Sequence, residues 1–519
     1  MSKPNSKIYL PILFALLFAL GFLLGKKSDS LQFPSSNGKQ KLIKLLDLID
    51  REYVDVVNTD SIVAITVNGI LEKLDPHSVY IPKNQLAEVT ESMEGNFVGI
   101  GINFYMYKDT LTVLQPLFNG PSYRAGIQAG DRILKANNKQ LFRKKLTNDQ
   151  LFSILKGEMD TKVNLVVYRK SENRKFNVTL TRAKIPVKSV EIALMLQPKK
   201  GYIKVNRFAE TTYNEFHQAL VNLKKKGMTE VVVDLRGNGG GYLEMAVAMA
   251  DEFLKKGELI VKTKNRAKQE EQSWATEKGI FEAGKISVLV DENSASASEI
   301  FAGAIQDNDR GTIIGRRTFG KGLVQKEMKL DDGSAVRLTV ARYYTPSGRS
   351  IQKPYTTKNY FNTYDTRYAS GELYQKDSIK VTDSLRYKTK KGRIVYGGGG
   401  IIPDVFVPLA ANHYEEGLAL LLQTDFINYF AFEKVDAKRT YFKKFTQRTL
   451  KNEICENPLY LKQFQDYVTQ NGFSFKLAKH KTEVIAYLYA AFAKQLFGEN
   501  AYYQIVLPKD KMVQKCLIK

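Results

Sequence analysis

The sequence predicts an α/β domain built on a largely parallel sheet, preceded by a mainly-β module and flanked by helical segments. Three observations carry that expectation. Across residues 184–409 short apolar runs such as "EVVVDLRG", "KISVLVDE" and "TIIG" alternate with helical stretches such as "NEFHQALVNLKKKG" and "ASEIFAGAIQDNDRG". That alternation is the mark of parallel strands covered by helices. From Gly95, by contrast, segments rich in β-branched and aromatic residues follow one another across polar turns. After about Ala410 the chain becomes helical and aromatic, as in "EEGLALLLQTDFINYFAFE".

Lys3 and Lys7 precede the uncharged run "IYLPILFALLFALGFLLG" at residues 8–25, and Lys26 and Lys27 close it. Eighteen residues at 1.5 Å rise span ~27 Å, enough for a bilayer core. No small-x-small cleavage site follows and no cysteine stands nearby for lipidation, so residues 1–27 are expected to form an uncleaved signal-anchor with the rest exported. Positive charge on both flanks sets the orientation only weakly.

A polar linker, "SDSLQFPSSNG", leads to a helical segment over residues 38–94. There Leu42, Leu45, Leu46 and Ile49 recur at helical spacing, until Pro76 and Pro82 in "LDPHSVYIP" interrupt regular structure. Residues 95–183 read as the separate β module. They hold a hairpin about Lys108 and Asp109, a short helix and Gly-Asp turn in "GPSYRAGIQAGDRIL", and two more strands in "TKVNLVVYRKSENRKFNVTL". Residues 184–409 form the α/β domain, with Gly227 as one helix stop, and 410–519 the helical C-terminal region.

Composition narrows the function. With 43% hydrophobic and 25% charged residues the chain is globular. A net charge of +24 favours anionic neighbours, phospholipid headgroups or nucleic acid, although a lysine-rich solvated surface accounts for it too and is the preferred reading. Basic residues do not interleave with aromatics as a nucleic-acid groove requires, so no nucleic-acid partner is expected. Cys455 and Cys516 are the only cysteines, which excludes a disulfide framework and an all-cysteine zinc site. His77, His217, His413 and His480 are scattered without H-E-x-x-H spacing, and no metal site is expected.

Three stretches could carry chemistry. "IIGRRTFGKGLVQ" matches G-x-x-x-x-G-K, but Gly322 stands where a P-loop needs Ser or Thr for Mg²⁺, and an extended segment follows instead of a helix. A nucleotide-binding membrane protein is therefore a weak reading. "VVVDLRGNGGGYLEMAV" fails the dinucleotide fingerprint because Tyr242 replaces its third glycine. Its glycines 239–241 are either a tight turn or a convergence of N–H groups on a negative charge. In "DENSASASEIF" the serines at 294, 296 and 298 sit between a strand and a helix. They offer either a nucleophile or, with Glu299, a helix cap. A nucleophile needs a base, and the nearest histidines, His217 and His413, are far along the chain. Lys321 is the local candidate if burial lowers its pKa. Gln325, four residues on, could share its face and orient the amine.

Together these motifs resemble the C-terminal processing, or tail-specific, serine peptidases, which join a PDZ module to a Ser-Lys core. The resemblance runs from about residue 40 to 408, through "LDPHSVYI", "FVGIGI", "GPSYRAGIQAGDRIL", "DLRGNGGG", "SASASEIFAGAIQD", "TFGKGLVQ", "RYYTPSGRSIQ" and "GGGIIPDV" in family order. It implies a ClpP/crotonase-like core of mixed sheet and helices, with Ser296 as nucleophile, Lys321 as base and Gln325 assisting. The oxyanion would be held by the backbone N–H groups of Ala297 and Gly240. Here the chain departs from the pattern: it reads Gly-Asn-Gly-Gly-Gly at 237–241 where many relatives read N-N-P-G-G. The tail-binding loop of the PDZ module maps to Val98, Gly99, Ile100 and Gly101. No cofactor is implied.

The expected protein is a membrane-anchored serine endopeptidase of the cell envelope, its catalytic region outside the cytoplasm. Its expected partners are proteins with apolar C-termini and the membrane; an activating or adaptor protein and an oligomer are left open. The competing reading is a catalytically silent tail-binding scaffold, against which the presence of Ser296, Lys321 and Gln325 together argues.

Overall fold

The computed structural model describes residues 37–355, 360–409, 413–473 and 477–517. The apolar run at 8–25 lies outside them, and no helix among the described residues is long and apolar enough to cross a membrane. The chain divides into two units, 1–70 and 71–519. In the first, α1 (Asn37–Glu52) carries the leucine stripe read from the sequence, and α2 (Thr59–Glu72) begins where the Thr59 hydroxyl donates to Asp50, 2.8 Å.

The second unit opens on the turn of "LDPHS". Asp75, buried, accepts from the N–H groups of His77 (2.8 Å) and Ser78 (2.9 Å) and from the Ser78 hydroxyl (2.7 Å). Strand β1 (Val79–Ile81) and helix α3 (Lys83–Glu94) follow, α3 ending at Gly95 in the left-handed conformation.

The β module is as expected. It comprises β2 (Asn96–Gly99), β3 (Ile102–Tyr107), β4 (Thr110–Pro116), α4 (Pro121–Arg124), β5 (Asp131–Ala136), β6 (Lys139–Gln140), α5 (Asn148–Leu155), β7 (Lys162–Arg169), β8 (Arg174–Thr181) and β9 (Ala183–Pro186). Lys108 and Asp109 both take positive φ, the twist that a two-residue hairpin loop prefers. The sheet runs β3-β4-β5-β7-β8, so β3 lies at its edge, and β2 pairs with β9. Ile102, Leu111, Val113, Ile133 and Leu151 fill the centre, together with Leu165 and Val167 of β7.

The α/β domain contains β10 (Val190–Gln197), β11 (Lys200–Val205), α6 (Thr212–Lys225), β12 (Glu230–Asp234), α7 (Leu243–Asp251), β13 (Leu259–Asn265), β14 (Glu270–Trp274), β15 (Lys285–Val290), α8 (Ala297–Asp307), β16 (Thr312–Gly315), β17 (Leu323–Lys329) and β18 (Ala335–Tyr344). The α9 helix (Thr363–Ala369), the hairpin β19 (Arg386–Lys388) and β20 (Ile394–Tyr396), and β21 (Val405–Phe406) complete it. The main sheet, β10-β11-β12-β15-β16-β21, is parallel except at β10–β11. Because side chains alternate along a strand, Val231, Val233 and Val288 point to one face, where Phe216, Leu220, Phe253 and Phe301 cover them. Tyr202, Val232, Leu289 and Ile314 point to the other. Burial on both faces is why these strands read as unbroken apolar runs. The alternation did not reveal a second, antiparallel sheet, β1-β18-β13-β14 with β17 on β18. Its strands are partly exposed and carry many charges, as in "LIVKTKN".

The C-terminal region is helical, with α10 (His413–Gln423), α11 (Phe426–Ala437), α12 (Arg439–Phe442), α13 (Gln447–Glu456), α14 (Pro458–Gln470), α15 (Lys481–Phe497), α16 (Glu499–Val506) and α17 (Lys511–Leu517). It has its own core of Phe430, Phe442, Phe464 and Phe492. It also reaches two neighbours. Leu507, Met512, Val513 and Cys516 cover the second face of the main sheet. On the β module, Tyr429 stacks on Tyr105 (4.8 Å between centroids), and Asp436 takes both arms of the Arg132 guanidinium (3.0 and 2.7 Å).

Candidate active site

Each of the three serines has a distinct place. The Ser294 hydroxyl donates to Leu235 O (2.8 Å) and the Ser298 hydroxyl to Asn238 O (2.9 Å), so both stitch loops together. Ser296 instead lines a cleft of about 570 Å³ together with Lys321, Gln325 and glycines 239–241. Its backbone is held at φ 56°, ψ −115°, immediately before α8. A non-glycine residue in that region is strained and persists only when its surroundings fix it. A strand-to-helix turn of this kind exposes a side chain at the edge of an α/β sheet.

The glycine loop approaches this residue closely. A methyl group on Gly240 (φ +103°) would stand 2.8 Å from Ser296 Cβ and from Ala295 O, and 3.0 Å from Ala297 N. Close approach, rather than a tight turn alone, is therefore what the glycine provides. The two expected oxyanion donors differ in what their N–H groups meet. Ala297 N–H is the first of α8 and has no hydrogen-bond partner among the described residues, as a donor should. Gly240 N–H, however, donates to Asn238 Oδ1 at 2.9 Å. Gly240 shapes the site, but its N–H is engaged; its neighbours Gly239 and Gly241 line the same cleft.

Lys321 enters the cleft from the loop before β17. Burial, reinforced by the Arg337 guanidinium, pushes its ammonium down to about 8, while Glu299 and Asp75 pull the other way. Gln325 lines the same cleft, although a register shift between Val324 and Gln325 breaks the regular strand alternation on which its spacing was read. Its amide nitrogen donates to the Thr339 hydroxyl (3.2 Å), which also interacts with Asp75. A buried carboxylate thus fixes which end of the Gln325 amide faces away from the cleft wall.

Two residues that the sequence left in lesser roles hold Ser296 and Lys321 together. Glu299, fully buried, appeared only as a helix cap. Its carboxylate accepts from the N–H groups of Ser296 (2.9 Å), Gly320 (2.8 Å) and Lys321 (2.8 Å) and from the Thr318 hydroxyl. Burial lifts its carboxyl to about 7 against the pull of those donors. Tyr343, also buried, donates to Lys321 O and lies 3.2 Å from Ser296 O. One side chain takes the N–H groups of both Ser296 and Lys321 and the other faces both carbonyls. The signal for Glu299 was present in S-A-S-E; nothing local marked Tyr343.

Of the expected tail-binding residues, Val98 and Gly99 lie in β2, while Ile100 and Gly101 turn toward β3 with Gly101 at φ +71°. Ile100 and Gly101 carbonyls accept from Ser122 and Leu117 (3.0 Å each). Among the described residues no group of three His, Cys, Asp or Glu is placed to hold a metal.

Residues 199–360 match the model for peptidase family S41, and residues 98–180 that for a PDZ domain. A probable CtpA-like serine protease of Staphylococcus aureus is 34% identical over 344 residues, 66% of this chain and 68% of that one. A carboxy-terminal-processing protease of Bartonella bacilliformis is 35% identical over 324 residues, 61% of this chain and 74% of the other. The chain thus spans about two thirds to three quarters of these relatives. The solved photosystem II D1 C-terminal processing protease aligns at 25% identity over 75% of this chain and 98% of its own, with a TM-score of 0.37; the kinship rests on the sequence relatives. The chain belongs to peptidase family S41, as a serine-type carboxy-terminal-processing peptidase with a PDZ domain.

Proposed function

We propose that the protein is a membrane-anchored, exported endopeptidase that captures other proteins by their apolar C-terminal tails and cleaves them with Ser296, Lys321 and Gln325. The tail would add as a strand to the free edge of β3, its carboxylate at the loop of Val98, Gly99, Ile100 and Gly101. In the cleft, neutral Lys321 takes the proton of the Ser296 hydroxyl as Oγ attacks the scissile carbonyl. Gln325 orients the amine. The oxyanion is met by Ala297 N–H and an N–H of the 239–241 loop. The Lys321 ammonium returns its proton to the leaving amine, the substrate's acyl group stays on Ser296, and water deprotonated by Lys321 releases it. The anchor at residues 1–27 would hold this chemistry at the outer side of the inner membrane.

The observation that carries the reading is a strained serine at a helix start sharing a cleft with a buried lysine whose pKa is lowered to about 8. A lysine base works only when deprotonated, so kcat should rise with pH through about 8 and level off above it. Turnover of an apolar-tailed unfolded protein, followed across pH for the wild type and Ser296→Ala, tests it. A flat profile down to pH ~5 contradicts a base with so high a pKa. Tail binding with no cleavage by the wild type supports a scaffold instead.

A further inference from the structure

Helix α3 touches both working regions of the molecule. Its Glu91 carboxylate accepts from Val98 N–H (3.3 Å) and from the Lys156 ammonium (3.0 Å). Lys156 follows the last turn of α5, and its ammonium lies 5.5 Å from the centre of the Phe97 ring. Glu91 and Lys156 side chains are both only about a third exposed, at 27% and 30%. On the same helix Thr90 and Met93 line the catalytic cleft with Ser296 and Lys321. The Met93 carbonyl accepts from Glu210 N (3.1 Å).

The contact set of Glu91 is that of a chain terminus. A backbone N–H and an ammonium hold one carboxylate, the chemistry that recognises a free C-terminal carboxylate. The place fits as well. Val98 opens the loop that precedes edge strand β3, and α5 packs beside that strand, with Phe152 ring-to-ring against Phe104 at 5.5 Å. The end of α5 reaches this loop, since a methyl group on Gly99 would stand 3.9 Å from Leu155 O, so Glu91 and Lys156 meet beside the loop that leads into β3.

We propose that Lys156 and Val98 N–H form the seat for the substrate's terminal carboxylate, and that Glu91 is its resident occupant until a tail displaces it. Displacement also frees α3, so Thr90 and Met93 can move in the cleft when a tail is bound. The proposal rests on the tail-capture reading, and it adds to that reading a competitor within the chain and a route from tail to cleft. A ligand that replaces an internal partner binds with an affinity lowered by that partner's occupancy.

The test uses the full chain carrying Ser296→Ala, an apolar peptide with a free carboxylate, and the same peptide amidated. Glu91→Gln should tighten the free-acid peptide by about two- to fivefold, the range of a partly exposed ion pair. Lys156→Ala should weaken it by about tenfold, as expected for a lost hydrogen bond to a charged group. The amidated peptide should respond to neither. The exchange Glu91→Lys with Lys156→Glu keeps an ion pair, so a merely structural pair predicts unchanged binding, whereas the seat predicts its loss. With Ser296 intact, Glu91→Gln should raise the basal cleavage of a reporter that lacks a free apolar tail. Unchanged free-acid affinity in Glu91→Gln or in Lys156→Ala, or an equal response of the amidated peptide, overturns the seat. If cleavage still depends on Ser296 in that case, the peptidase reading stands without it. If the peptide responds as expected but the wild type cleaves nothing, the seat stands and the peptidase reading fails.

Discussion

The two halves of the cleft that holds Ser296 and Lys321 are built on opposite plans. Ser296 sits between β15 and α8 on the parallel sheet, and most of what holds it is near in sequence or belongs to one facing loop. Glu299 lies three residues on, and Asn238 takes Ala295 N–H at 3.0 Å. Lys321 sits at the mouth of the antiparallel sheet and is braced from far along the chain. Gly322 N–H donates to Gln352 (2.8 Å), Gln352 donates to the Tyr360 hydroxyl (3.1 Å), and that hydroxyl pairs with His77 Nε2 (2.8 Å). Gln325 is held through Thr339 to Asp75. A serine strained in its own turn is supported locally; a long lysine side chain, whose ammonium burial disfavours, is walled by many segments.

If the halves act as one unit, removing either should be as severe as removing both. Ser296→Ala and Lys321→Ala should each lower kcat roughly a million-fold, and the double variant no further. Single-turnover assays on folded protein check this, and additive losses would divide the halves. Cutting the tie between them comes next. Glu299→Gln presents an amide donor where N–H groups need an acceptor, and the resulting displacement of Ser296 against Lys321 should cost about 100-fold in kcat. KM for a tailed substrate should stay near the wild-type value, which separates misalignment from lost binding. The smallest effect, and the sharpest for the base half, is a pair of opposite shifts. The Asp75 charge favours the Lys321 ammonium, so Asp75→Asn should move the acid limb of the pH–kcat profile downward. Arg337 disfavours the ammonium, so Arg337→Gln should move it upward. Each should leave kcat at the plateau within about tenfold. Shifts in the same direction would exclude a charge effect on the lysine.

The same contrast explains what could be read from the sequence. Small residues around Ser296, glycines at 239–241 and the G-K-G at 320–322 are local patterns with local causes, and the structure brings them into one cleft. The main sheet was legible because both of its faces are buried. The antiparallel sheet was not, because half-exposed strands with lysines and glutamates carry little apolar signal. Asp75, Tyr343 and Thr339 matter through partners remote in sequence, and no pattern marks such a pairing. Gly240 was expected as a donor; the structure sets it against Ser296 with its N–H on Asn238, contacts visible only once the loop is folded.

The cover that α16 and α17 place over the second face of the main sheet has a consequence for synthesis. Ser296 and Lys321 leave the ribosome long before Leu507, Met512, Val513 and Cys516, and until those arrive Tyr202, Val232, Leu289 and Ile314 face water. Asp510, which grips the Arg236 guanidinium at 2.7 Å just ahead of the glycine loop, arrives equally late. A nascent chain that has reached β21 therefore carries Ser296, Lys321 and Gln325 on a half-covered sheet. Order of synthesis thus parts the sheet from its cover: the residues that line the cleft are made first, and the side chains that dry the sheet's second face are made after them.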